Sequence, residues 1–167
     1  MDYQEIWQKV LASDETIEYE FSVGKLFRQF NIFIKTFLGI IIAVLLYSFW
    51  LILKLPFPEI FFGIFFLYFI FLVFYYGFYL KAANAYALTN KRVLIHQGWL
   101  STDLICVDYN KITDLTVVVP FFESLITGTG DLHIDTAGTP MQEIVLRHIA
   151  APYEIRKKLE EIRDTAD

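Results

Sequence analysis

Two uncharged apolar runs with only six residues between them constrain this chain more than any other feature. Thr36–Leu53 holds 18 residues without a charge, and Ile60–Leu80 holds 21. As helices they would be roughly 27 and 31 Å long, close to the hydrocarbon thickness of a bilayer, about 30 Å. Lys35 and Lys54 bracket the first run; Glu59 and Lys81 bracket the second. In lipid a single segment satisfies its backbone polar groups only as a helix. A chain of 167 residues is too short to bury two helices that are apolar all round. The expectation is a transmembrane helical hairpin.

The link Lys54-Leu55-Pro56-Phe57-Pro58-Glu59 carries two prolines, which end one helix and restart the next. The helices then run antiparallel and both chain ends share one side. Lys25, Arg28 and Lys35 flank the first run, and Lys81, Lys91 and Arg92 follow the second, whereas the turn offers only Lys54. The positive-inside rule therefore places both termini in the cytoplasm of a multi-pass cell (inner or plasma) membrane protein. Tyr47, Trp50, Tyr75, Tyr76 and Tyr79 fall near helix ends, as an aromatic belt does. Neither run has an ionisable group in its middle, which argues against a transport path.

Outside the hairpin the pattern changes. Thr16 to Val23 alternates, with Ile17, Tyr19, Phe21 and Val23 on one face, and predicts a half-buried strand. A lone strand is unstable, so it is expected to join the sheet that follows the hairpin. Before it, Tyr3, Ile6, Trp7, Val10 and Leu11 are spaced for a short amphipathic helix over Asp2–Ala12. That helix either packs on the chain's own domain, the favoured reading, or serves as an interfacial or partner-binding element.

After the hairpin, strands are predicted over Ala83–Thr89, Arg92–Gln97, Asp103–Tyr109, Ile112–Val119, Leu132–Thr136 and Glu143–Ile149. Asn90-Lys91, Asn110-Lys111 and Gly138-Thr139-Pro140 supply turns. Pro152 opens a final helix with an Ile155, Leu159, Ile162 stripe. Phe121, Phe122, Leu125 and Ile126 fall in a loop. If exposed they form a sticky patch for a partner, a second copy or the bilayer; the favoured reading has them plugging the open end of a β-sandwich.

Chemistry is sparse. Residues 82–167 carry eight Lys/Arg against twelve Asp/Glu, so nucleic acid is not an expected partner. The single cysteine, Cys106, excludes an internal disulfide. Gly128-Thr129-Gly130-Asp131 lacks the Lys and Ser/Thr of a phosphate loop. His133 and Asp135 share a strand face, but the inward set is Leu132, Ile134 and Thr136, which leaves both in solvent. His96, His148, Ser124 and Cys106 have no partners placed beside them by spacing. No catalytic, cofactor-binding or metal residue is assigned, and no enzyme is expected.

Tyr86-Ala87-Leu88-Thr89-Asn90-Lys91-Arg92-Val93, Gly98 and Tyr109-Asn110-Lys111-Ile112-Thr113-Asp114-Leu115 together resemble the bacterial pleckstrin-homology (PH) family, once a domain of unknown function. Ser124 to Leu132, Thr136-Ala137-Gly138 and Ala151-Pro152-Tyr153 continue the likeness, which covers about residues 84–163. The resemblance implies an antiparallel β-sandwich or barrel of about seven strands capped by a C-terminal helix, beside a two-helix membrane hairpin. It implies binding or assembly in place of catalysis. The expected organisation is 1–30, helix and strand packed on the soluble domain; 31–81, the hairpin; and 82–167, a cytoplasmic PH-like domain.

Eukaryotic relatives bind phosphoinositides through several basic residues around the first hairpin. Here that hairpin offers Lys91 and Arg92, which either contact the anionic leaflet at about 1 kcal/mol each or are solvated turn residues. The leading expectation is a membrane-anchored scaffold binding protein partners or copies of itself. The alternatives are lipid recognition through Lys91, Arg92 and Phe121–Ile126, or an accessory subunit of a membrane enzyme or transporter.

Overall fold

The computed structural model describes residues 7–53, 58–98, 103–137 and 144–166. The start of the expected amphipathic helix, most of the Lys54–Glu59 turn and Gly138-Thr139-Pro140 lie outside the described residues. The chain divides into two compact units, one of residues 1–27 with 81–167 and one of residues 28–80.

In the first unit, strands β1 (Ile17–Ser22), β2 (Asn84–Thr89), β3 (Arg92–Gln97) and β4 (Asp103–Asp108) form one antiparallel sheet in that order. Strands β5 (Ile112–Val118), β6 (Thr129–Thr136) and β7 (Ile144–Ala150) form a second. Val23 bridges Ile149 and so joins the two. Tyr86, Leu88, Val93, Ile95, Leu132, Ile134 and Leu146 fill the space between the sheets. The helix Pro152–Ala166 closes it with Ile155 and Leu159, as its apolar stripe requires.

β2 is buried on both faces. Tyr86 and Leu88 point into the sandwich, while Ala85 and Ala87 face outward beneath Trp7, with Leu94 of β3 beside them. The small alanines leave room for the indole. Trp7, Val10 and Leu11 thus pack on the chain's own sheet, the favoured of the two readings for the described part of that segment.

The faces of β1 depart from strict alternation. Ile17 pairs with Thr89 and Tyr19 with Leu88, so Glu18 is an extra residue. This bulge turns Ile17 to the Trp7 side, while Tyr19 and Phe21 enter the main core. The expectation that Ile17 shares their face is corrected.

The Phe121–Ile126 segment is a helix, not a loop. It spans Phe121–Thr127, starts after Pro120 and stops at Gly128, whose φ of 62° only glycine adopts at no steric cost. β6 starts at Thr129, earlier than expected. Gly130 makes that possible, since a Cβ there would stand 2.9 Å from Val118 O and 2.9 Å from Val119 Cγ2.

In the second unit the helix Lys25–Leu53, here α1, is paired with α2 (Pro58–Leu72) and its π-helical continuation Val73–Tyr79. A last turn, α3 (Leu80–Ala83), leads to β2. The later helices are α4 (Phe121–Thr127) and α5 (Pro152–Ala166). Gly39 lies under the Tyr68 ring, where a Cβ would be 2.8 Å from Cε1. Arg28 Nη1 donates to Gly77 O at 2.9 Å within the π stretch, where the backbone ladder is widened. Lys35 Nζ bonds Tyr76 Oη and lies 4.7 Å from the centre of its ring. Both α1 and the stretch Phe62–Ala83 are long and apolar enough to cross a membrane.

Candidate functional site

Three places on the sheet unit bear on function. The first is the β2–β3 turn that carries Lys91 and Arg92. Neither points free into solvent. Arg92 donates through Nε to Glu15 Oε1 at 2.9 Å and through Nη2 to Glu15 Oε2 at 2.8 Å. Its Nη2 also reaches Val10 O at 3.2 Å. Thr89 Oγ1 donates to Glu15 Oε1 at 2.8 Å, and the Ala12 amide donates to Oε2 at 3.1 Å. Lys91 Nζ pairs with Asp14. Asn90 exchanges backbone and side-chain hydrogen bonds with Thr16 at 3.1 Å.

The fork of Arg92 matches a carboxylate in two parallel bonds. Its guanidinium holds the Glu15 carboxyl down at about 2, against the opposing effect of burial. Glu15 raises Arg92 in return, and Lys91 lowers Asp14. Both cations of the expected lipid contact are therefore matched by carboxylates of the preceding segment. Sequence reasoning missed Asp14 and Glu15, which are 77 positions from their partners.

The second place is α4. Its side chains divide against the usual order. Thr127 is buried, its hydroxyl donating to Glu123 O at 2.8 Å and lying 2.6 Å from Thr129 Oγ1. Glu123 turns to His148, with Oε2 at 3.0 Å from Nδ1. Phe121, Phe122 and Leu125 are 72%, 74% and 72% exposed, and Ile126 is 47% exposed. These four do not plug the sandwich; the favoured expectation is corrected. The interior beneath them is already filled by Leu132, Ile149 and Ile155, so the helix lies outside it. Burying such a side chain is worth about 1.5–3 kcal/mol, so leaving four in water is costly.

His148 organises this corner. Its amide donates to Asp131 Oδ1 at 2.7 Å, its carbonyl accepts from Gly24 N at 2.8 Å, and its φ is 52°. The backbone lies in a region that histidine visits more readily than most residues.

The third place is a cavity of about 420 Å³ between the sheets, lined by Asn84, Tyr86, Gln97, Ile105, Ile144 and Arg147. Burial pushes the Tyr86 hydroxyl up to about 12, so it is neutral at ordinary pH. Cys106 is exposed on β4, but partial desolvation raises its thiol above the ordinary range, the opposite of an activated nucleophile. His96 is buried beside Trp7 and desolvation lowers it, keeping the ring neutral. His133 is half-buried and Asp135 exposed, with Leu132 and Ile134 inward. Among the described residues no group of three His, Cys, Asp or Glu is placed to hold a metal.

Comparison with known proteins adds the following. The sequence model described as bacterial PH domain matches residues 29–164. The chain is similar to a DUF1696 family protein with a pleckstrin-homology domain from Shewanella loihica PV-4, at 11% identity over 98% of each chain, with a TM-score of 0.48. It is also similar to a pleckstrin homology domain from Shewanella amazonensis SB2B, at 16% identity over 51% of this chain and 70% of that one, with a TM-score of 0.40. No curated protein matches. The match over residues 29–164 takes in the second unit's helices as well as most of the sheet unit, and the chain belongs to the bacterial PH domain family.

Proposed function

We propose that this chain is a membrane-anchored, non-catalytic interaction module, holding its PH-like platform at the cytoplasmic face to bind protein partners or further copies of itself. In this reading α1 and the helix from Pro58 to Ala83 cross the membrane as an antiparallel pair, with both termini cytoplasmic. The supporting observation is the surface of α1. Its long apolar side chains, among them Phe37, Leu38, Ile41, Leu45, Phe49 and Ile52, are exposed within the protein. Such a surface needs lipid or protein around it. PH-like domains are binding modules in general, which agrees with a role without catalysis.

Chemical crosslinking in native membranes, followed by purification and mass spectrometry, tests the reading. Crosslinks from the sheet unit to one dominant protein or to a second copy support it. A chain that washes from membranes at high salt, or stays monomeric with lipid adducts alone, refutes it.

Recognition of a lipid headgroup through Lys91 and Arg92 is weakened by their pairing with Asp14 and Glu15.

A further inference from the structure

We propose that the cavity between the two sheets binds a small polar monocarboxylate, with Arg147 taking the carboxylate and Gln97 facing the hydroxyl-bearing remainder. The inference goes beyond the interaction role put forward above and does not depend on membrane anchorage, since every residue it uses belongs to the sheet unit.

The argument starts from the face of the first sheet that looks into the sandwich. Tyr86 and Leu88 of β2 and Val93 and Ile95 of β3 point inward. Side chains alternate along a strand, so Asn84, two positions before Tyr86, and Gln97, two after Ile95, share that inward face. They stand opposite each other in the β2–β3 register. A row that packing alone would fill with aliphatic side chains thus ends in a pair of primary amides, both half-buried. With Tyr86 and Ile105 they line an open volume of about 420 Å³. Small-molecule sites occupy about 300–1,000 Å³.

The second part of the argument is the charge on the opposite wall. β7 is the last strand of its sheet, and its Ile144 and Arg147 line the cavity. Among the described residues the Arg147 guanidinium has no ion pair or hydrogen bond, and the Gln97 side-chain amide has none either. The charge of Arg147 is felt at the Tyr86 hydroxyl, which burial nonetheless keeps neutral, so the cation lies within reach of the cavity's phenol. Asp131 also acts on Tyr86, but it is held by the His148 amide and does not line the cavity. No carboxylate of the described residues faces Arg147 from the lining. A guanidinium fork matches a planar carboxylate, while a primary amide and a neutral phenol match hydroxyl groups. One cation balances one carboxylate. A phosphate monoester, at about −1.5 to −2, would leave charge unmatched in a half-enclosed site.

The test follows thermal unfolding of the full chain in mild detergent by tryptophan emission, at constant ionic strength set with sodium chloride. The probes are glycerate and gluconate, their neutral counterparts glycerol and glucitol, and inorganic phosphate. The expected result is a saturable rise of the midpoint with gluconate, a smaller one with glycerate, and none with the neutral polyols or phosphate. Arg147→Gln should weaken the apparent affinity for gluconate at least about tenfold, and Arg147→Lys by less, because the charge stays while the fork is lost. Gln97→Leu, which keeps the cation, should also weaken it. Circular dichroism of each variant separates lost binding from lost folding, and Arg147 is exposed at a sheet edge, where substitution is tolerated. A wild-type midpoint that neither carboxylate raises overturns the proposal. So does an equal response in Arg147→Gln, which marks a general salt effect, or a larger rise with phosphate, which marks a site for a more highly charged anion. None of these outcomes bears on crosslinking to a partner, so the interaction role stands or falls separately.

Discussion

The imidazole of His148 lies almost parallel to the ring of Phe27, with centroids 3.9 Å apart and planes inclined by 12°. One histidine on β7 thereby fixes the start of α1 from one side and α4 from the other. The contact depends on a left-handed backbone at His148, which aims the ring away from the ordinary strand direction.

His148→Ala removes the stack and the Glu123 bond, with an expected loss of about 2 kcal/mol. His148→Gly relieves the left-handed backbone and should regain part of that loss. Hydrogen exchange of the α4 amides checks the local effect, which should be faster exchange in both variants.

Arg92→Ala leaves the Glu15 carboxylate nearly buried without its partner. The expected cost is about 3–5 kcal/mol. Arg92→Lys keeps the charge but cannot reproduce the two-bond fork, and should recover only part of it. The emission of Trp7 on thermal unfolding in detergent, with Trp50→Phe and Trp99→Phe, is a direct reporter because the indole is fully buried where that segment packs on Ala85, Ala87 and Leu94.

The Glu15 pair also sets an acid limit. The folded carboxyl stands at about 2, below its ordinary 4.5. Its contribution, about 3 kcal/mol, is complete above the ordinary value and disappears as pH falls from there toward 2. Trp7 emission should shift in that window, while Glu15→Gln should flatten the dependence there and lower stability at neutral pH.

Gly24→Ala places a Cβ 2.5 Å from Thr129 Cγ2 and 3.2 Å from His148 O. Neither neighbour is a flexible side-chain end, so the expected cost is about 1–3 kcal/mol. Limited proteolysis between β1 and α1 should speed up accordingly.

Much of this architecture was legible in the sequence because periodicity reports burial. β3 has its expected limits, and the other strands differ by a few residues at their ends. The Asn90-Lys91 turn and the helix begun by Pro152 follow from backbone chemistry that one or two residues decide. The bulge at Glu18 was not legible, since alternation looks unbroken when the extra residue is polar. α4 left a signal that went unread: Pro120 and Gly128 bracket seven residues, the usual asymmetry of helix ends. Its four apolar residues suggested burial, but Leu132, Ile149 and Ile155 already fill the interior and the four side chains stay exposed. The clasp of Asp14 and Glu15 on Lys91 and Arg92 depends on sheet pairing between distant segments, which local spacing does not encode.

Strands β1 and β2 are neighbours in the sheet, yet Val23 to Ala83 separates them in the chain. A ribosome adding about 5–20 residues per second makes β1 several seconds before its partner exists. During that interval Ile17–Ser22 is an unsatisfied edge, and Trp7 has neither Ala87 nor Leu94 to cover it. The sheet can close only after both long helices have been synthesised and have brought Asn84 back beside Ser22. Closure of the sheet thus waits on the synthesis of every residue from Val23 to Ala83, and until then β1 presents the unpaired edge that a finished sheet covers with β2.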